Sequence, residues 1–181
     1  ILIIMLSLVV FTFRSFGQMG LVFFLTPFLL FGVMGGHLIH GTALSIFSGL
    51  GTFALIGVMI NNALVFVSTF NQKLQDGFVF NEALQKAAYS RFRPIVLTTI
   101  TTVAGLFPLI LSQGVGAQFL RPTSIAIAYG LLFGMFLTLC FLPSLLVLSN
   151  RANQALHKLF KREVPTPEQV EPAVQELTVH F

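Results

Sequence analysis

The apolar positions of this chain are grouped in runs, not in the alternating or three-and-four spacing of a soluble fold. Five stretches, about 1–16, 19–39, 43–70, 94–111 and 124–148, are nearly free of charge. Each is near or above the ~17–20 residues that cross a bilayer. A spanning segment must satisfy its backbone polar groups internally, and no alternating barrel pattern appears, so all five are predicted as helices. The segment 72–93 breaks the apolar pattern. Within it, "NEALQKAAYSRF" offers Asn81 as an N-cap, Glu82 in a first turn, and Leu84, Ala87 and Ala88 at helical spacing. It is predicted as a short amphipathic helix along the membrane face, with Pro94 breaking it where the fourth span begins. The fold class is therefore all-α integral membrane, with a transmembrane domain over 1–150 and a tail over 151–181.

Composition strengthens this reading. The chain of 181 residues is 55% hydrophobic and 9% charged, with a mean hydropathy of +0.90. A soluble domain carries roughly 25% charged residues. The start, "ILIIMLSLVVFTF", has no basic n-region and no small-residue cleavage site, so it reads as the interior of a membrane helix and not as a signal peptide. The one cysteine, Cys140, lies in an apolar run and forms no internal disulfide. The net charge of +4 sits in the connections without a clustered stripe, which argues against nucleic acid as a partner.

Charge also orients the chain. Lys73, Lys86, Arg91 and Arg93 fall between spans three and four, Arg151, Lys158, Lys161 and Arg162 follow span five, and Arg14 precedes span two. The remaining connections hold only Arg121, His37 and His40. The positive-inside rule puts the segment 72–93 and the C-terminus in the cytoplasm. From Glu163 onward the tail has four glutamates, three prolines and no Lys or Arg, and it is predicted to be disordered.

Chemistry inside the spans is polar but not ionisable. All six carboxylates, Asp76, Glu82, Glu163, Glu168, Glu171 and Glu176, lie outside them. A proton carrier at membrane depth would have to sit on another segment. The polar partners on spans three and four include Asn61 and Asn62 in "LIGVMINNALVFV", with Ser68 further on, and Thr98, Thr99, Thr101 and Thr102 in "RFRPIVLTTITTVAGLFPL". Thr98, Thr101, Thr102 and Gly105 share one helix face. Two readings stay open: an interhelical network between threonines and asparagines, or threonines bonded to their own i−4 carbonyls with the asparagines acting as helix glue. Gly49, Gly51 and Gly57 on span three, Gly32, Gly35 and Gly36 on span two, and Gly105 are expected close-packing positions. His37 and His40 are expected at a polar helix end facing outward, and two imidazoles alone make a poor metal site. No nucleophile–base pair, phosphate loop or cofactor motif appears, so neither an enzyme nor a bound cofactor is expected.

The stretches "GVMINNALVFVSTFNQKLQDG" and "EALQKAAYSRFRPIVLTTITTVAGLFPLIL" closely resemble the C-terminal half of the resistance-nodulation-division (RND) efflux permeases, in their drug-efflux branch. The resemblance covers 1 to about 151 and implies the last five of twelve membrane helices. It implies a proton-driven antiporter of the bacterial inner membrane, multi-pass with a cytoplasmic C-terminus, exporting hydrophobic or amphiphilic compounds and contributing to multidrug resistance. Implied partners are the N-terminal half of the permease, two further copies in a homotrimer, a periplasmic adaptor and an outer-membrane channel. By position, Asn61 stands where drug-efflux members carry a lysine paired with two aspartates of the first repeat. Asn62 matches a common asparagine, Thr98 the relay threonine, and Arg91 the arginine at the cytoplasmic end of the proton path. Asparagine at 61 is a departure: a neutral amide can only hydrogen-bond a carboxylate. The missing helix is therefore expected to carry one essential aspartate. A metal-ion exporter of the same superfamily and a non-transporting scaffold or split subunit are the alternatives.

Overall fold

The computed structural model describes residues 16–112 and 114–161. The first expected span, apart from its last residue, and the acidic tail lie outside them. The described residues are all-α, with no strand. In order they form α1 (Phe16–Leu25), a 3-10 turn (Thr26–Phe28), α2 (Leu29–His40), α3 (Ile46–Gln75), α4 (Phe80–Leu111), α5 (Val115–Phe136), a π turn (Leu137–Phe141) and α6 (Leu142–Lys161). Four stretches are long and apolar enough to cross a membrane: Val22–His40, Ile46–Gln75, Phe80–Leu111 and Gly116–Ala152. These correspond to the second to fifth expected spans.

Prolines set the irregularities. Pro27 has no N–H to donate and crowds the preceding turn, and the chain tightens to 3-10 there before continuing as α2. Pro143 does the same to the last helix. The turn before it widens, Leu142 N–H reaches back to Leu137 O, and α5 runs on into α6 through a π bulge. Gly41, at φ 58°, ends α2 in the left-handed conformation that glycine adopts without a Cβ clash. Ser45 then caps α3, its hydroxyl accepting from Ser48 N–H while Ser48 Oγ accepts from Ser45 N–H.

Pro94 does not break its helix. α4 runs through it without interruption from Phe80 to Leu111, so residues 81–93 are helical as expected but form the first turns of a spanning helix. The reason is tertiary. Phe80, Ala83, Ala87, Ile95, Thr99 and Ile110 are buried, and half-buried Arg91, Val103 and Leu106 fill the gaps of one stripe at helical spacing. That stripe is anchored on both sides of the proline, whose own ring is exposed. The connection to α3 shrinks to Asp76–Val79.

α5 lies at the centre, packed against α2, α3 and α4. Glycines set the spacing. A Cβ on Gly36 would lie 2.6 Å from the Tyr129 ring, one on Gly32 2.5 Å from Phe133 Cβ, and one on Gly51 2.9 Å from Thr123 O. Gly130 and Gly134 of α5, which the sequence reading did not single out, receive Leu55 and Leu29 in the same way. Gly35, Gly49 and Gly105 have nothing within 4 Å of that position, so they close no contact among the described residues. Gly57 is half-buried. Below the glycines, Leu55, Met59, Ala63, Phe66, Phe70 and Leu74 form one buried line along α3. The outer surface is the reverse of a soluble protein's, with Ile46 85%, Leu38 80% and Leu97 65% exposed. Such a surface is stable only in contact with lipid or another apolar surface.

Candidate polar site on α3 and α4

α3 and α4 are antiparallel neighbours, and one hydrogen bond fixes their register: Arg91 Nε donates to Thr69 Oγ1 at 2.9 Å. Thr69 in turn donates to Val65 O at 2.8 Å, so its lone pair is free to face the guanidinium. Seven positions along each helix from that bond lie Asn62 and Thr98. Seven residues are nearly two turns and ~10 Å, which returns each residue to the face it started from. Asn62, Thr98, Arg91 and Thr69 therefore line one edge of the α3–α4 pair. Asn62, Thr98 and Arg91 are among the positions named from the sequence. Thr69 was missed, although its seven-residue spacing from Asn62 was a legible signal.

Among the described residues the edge is uncovered. Asn61 is exposed and Asn62 half-buried, and neither amide bonds another described residue. Thr98, Thr101 and Thr102 are exposed as well, and each bonds its own helix: Thr98 to Pro94 O at 2.9 Å, Thr101 to Leu97 O at 2.9 Å, Thr102 to Thr98 O at 2.7 Å. Of the two readings left open by the sequence, back-bonding threonines hold, and no threonine–asparagine network forms among the described residues. The threonine turned inward is Thr99, in the buried stripe of α4.

His37 and His40 lie in the last turn of α2, and His37 is 3% exposed. Its Nδ1 lies 2.9 Å from Val33 O, a carbonyl that can only accept, so Nδ1 carries a proton. Its Nε2 lies 2.7 Å from Ser48 Oγ, tying α2 to the capping turn of α3. His40 turns elsewhere, with Nε2 3.0 Å from the Tyr129 hydroxyl. The two rings do not converge, and no group of three or more His, Cys, Asp or Glu among the described residues could hold a metal ion. A cleft of about 500 Å³ between α2 and α3, lined by Leu30, Met34, Leu44 and Phe53, is apolar and apart from the asparagines.

The described residues thus form an all-α bundle with four stretches long and apolar enough to cross a membrane, and with exposed polar residues on α3 and α4. The comparisons give the family. The model of the AcrB/AcrD/AcrF family matches residues 1–150, and the chain belongs to that family of RND efflux permeases. It is also similar to the crystal structure of a heavy metal efflux pump, at 28% identity and a TM-score of 0.66, over 80% of this chain and 15% of that one. The chain thus spans less than a sixth of the length of that pump. Transporters of this family are secondary transporters, not enzymes.

Proposed function

We propose that this chain is the C-terminal membrane segment of a proton-driven exporter. In this reading Asn61, Asn62, Thr98 and Arg91 form half of its proton-coupling site. The observation that carries the reading is the uncovered polar edge. Exposed amides and hydroxyls on helices otherwise faced with Leu, Ile and Phe ask for a polar partner at membrane depth, because unbonded amides in hydrocarbon are unfavourable by several kcal/mol. The partner is a helix outside this chain, bearing a carboxylate that Asn61 hydrogen-bonds without neutralising. Arg91, already held by Thr69, waits at the end of that edge where Lys73, Lys86 and Arg93 gather. The same gathering supports a cytoplasmic position for this end and for the C-terminus, in the bacterial inner membrane.

The complete exporter works as a homotrimer with a periplasmic adaptor and outer-membrane channel, and moves hydrophobic or amphiphilic compounds. Export of a metal ion is the second reading, favoured by the likeness to a heavy metal pump. The test is proton flux driven by substrate in proteoliposomes holding the complete permease, with a hydrophobic dye and a heavy-metal ion supplied in turn. Asn61→Ala is expected to insert normally and to lose flux with whichever substrate moves. Normal transport by that variant contradicts the proposed site.

A further inference from the structure

Arg121 is the isolated charge of this bundle. The other basic side chains described, Lys73, Lys86, Arg91, Arg93 and Arg151, lie towards the end that holds the α3–α4 turn, as do the carboxylates Asp76 and Glu82. Arg121 lies at the far end, on the second turn of α5. Two residues on, Thr123 Oγ1 donates to Phe47 O in the first turn of α3. The length of α3, 30 residues or ~45 Å, separates the two ends. No described carboxylate can reach it.

Its surroundings define what can. Arg121 Nε is fully buried and has no acceptor among the described residues. Thr42 Oγ1, the other buried side-chain polar atom without a partner among the described residues, lies in the turn at the same end. One helical turn after Arg121, Ile125 is buried against Ile110 of α4, so the arginine stands on the α4–α5 seam where it reaches the bundle end. Around that seam Leu111, Phe119 and Leu120 are 60%, 59% and 50% exposed. Arg121 is half-buried at this end of α5, among hydrocarbon-facing side chains, where a snorkelling arginine would stand. The four spans guarantee a bilayer, and at that depth every bilayer of phospholipid presents phosphate oxygens. A guanidinium fork matches two of them at once.

We propose that Arg121, at the head of the α4–α5 seam, binds the phosphate of a phospholipid. The site is independent of the proton-coupling edge, which runs along α3 and α4. The test uses the complete permease in dodecyl maltoside, titrated with phosphatidylglycerol and, in parallel, with a monogalactosyl diacylglycerol of the same tails and no phosphate. Thermal unfolding and native mass spectrometry are the readouts. Phosphatidylglycerol is expected to raise the Tm of the wild type saturably, to do so less for Arg121→Lys, and to act on Arg121→Gln no better than the galactolipid. Arg121→Gln should retain one phospholipid fewer per protomer, with an apparent affinity lower by about 10-fold or more. Equal responses of Arg121→Gln and wild type to phosphatidylglycerol overturn the proposal. So does a Tm loss in Arg121→Gln that is the same with and without lipid, which marks a carboxylate from elsewhere in the permease. Should Arg121→Gln fail to fold, a wild type that retains no phospholipid, or an Arg121→Lys response equal to the galactolipid's in both proteins, has the same force.

Discussion

The two flanks of α3 were built for different neighbours. On one, Leu55, Met59, Ala63, Phe66 and Phe70 are buried, and glycines bring α3 and α5 close enough that Gly51 lies against the Thr123 carbonyl. On the other, Asn61 stands exposed beside a row of exposed threonines and the open Gly105. The first flank is packed by described residues. The second has polar groups and small residues but no occupant among the described residues. The contrast teaches that small and polar residues in a membrane helix mean different things according to what faces them, and that only the packed flank determines whether this chain holds together.

The sharpest way to break the contrast is to overfill the packed flank. Gly51→Val places a branched side chain where backbone, not a flexible tip, is 2.9 Å away. It is expected to destabilise the bundle by about 3 kcal/mol or more in mixed-micelle unfolding. Gly105→Ala, on the open flank, should leave stability unchanged or raise it by up to ~1 kcal/mol through helix propensity. Equal losses at the two positions would erase the distinction.

Next in size is the bond that joins α3 and α4. Thr69→Val removes the acceptor of the Arg91 guanidinium and should cost about 1–3 kcal/mol, with Thr69→Ser recovering most of it. On the packed side, His37→Ala breaks the tie to Ser48 and is expected to cost about 1–2 kcal/mol, whereas His37→Gln, still able to bond, should cost less. Smallest is Thr101→Val on the open flank. Its hydroxyl only back-bonds Leu97, so the change should stay within about 0.5 kcal/mol in the isolated chain.

Much of the fold was legible because hydropathy alone marks a membrane helix: four expected spans recur, two with ends moved by up to about five residues and two starting well before their expected positions, at Phe80 and Gly116. What failed were inferences from local chemistry where packing decided. Pro94 looks like a helix end, but a buried stripe from Phe80 to Ile110 holds the helix on both sides of it. His37 lies at a helix end as expected, but its bond to Ser48, eleven residues on in sequence, shows only in the packing. Gly49 and Gly51 are indistinguishable in sequence, and only the facing residue, Thr123, makes one of them a contact. On α3 and α4, Asn62, Thr98 and Arg91 were singled out by resemblance, whereas Thr69 was passed over although its seven-residue spacing from Asn62 was visible.

The most direct test of the account is a photo-cross-linking residue placed at position 61 of the complete permease in its native membrane, followed by peptide mapping. The account expects a cross-link to a helix outside this chain whose captured peptide contains an aspartate or glutamate at membrane depth. Capture of lipid alone, or of residues belonging to this chain, would contradict it.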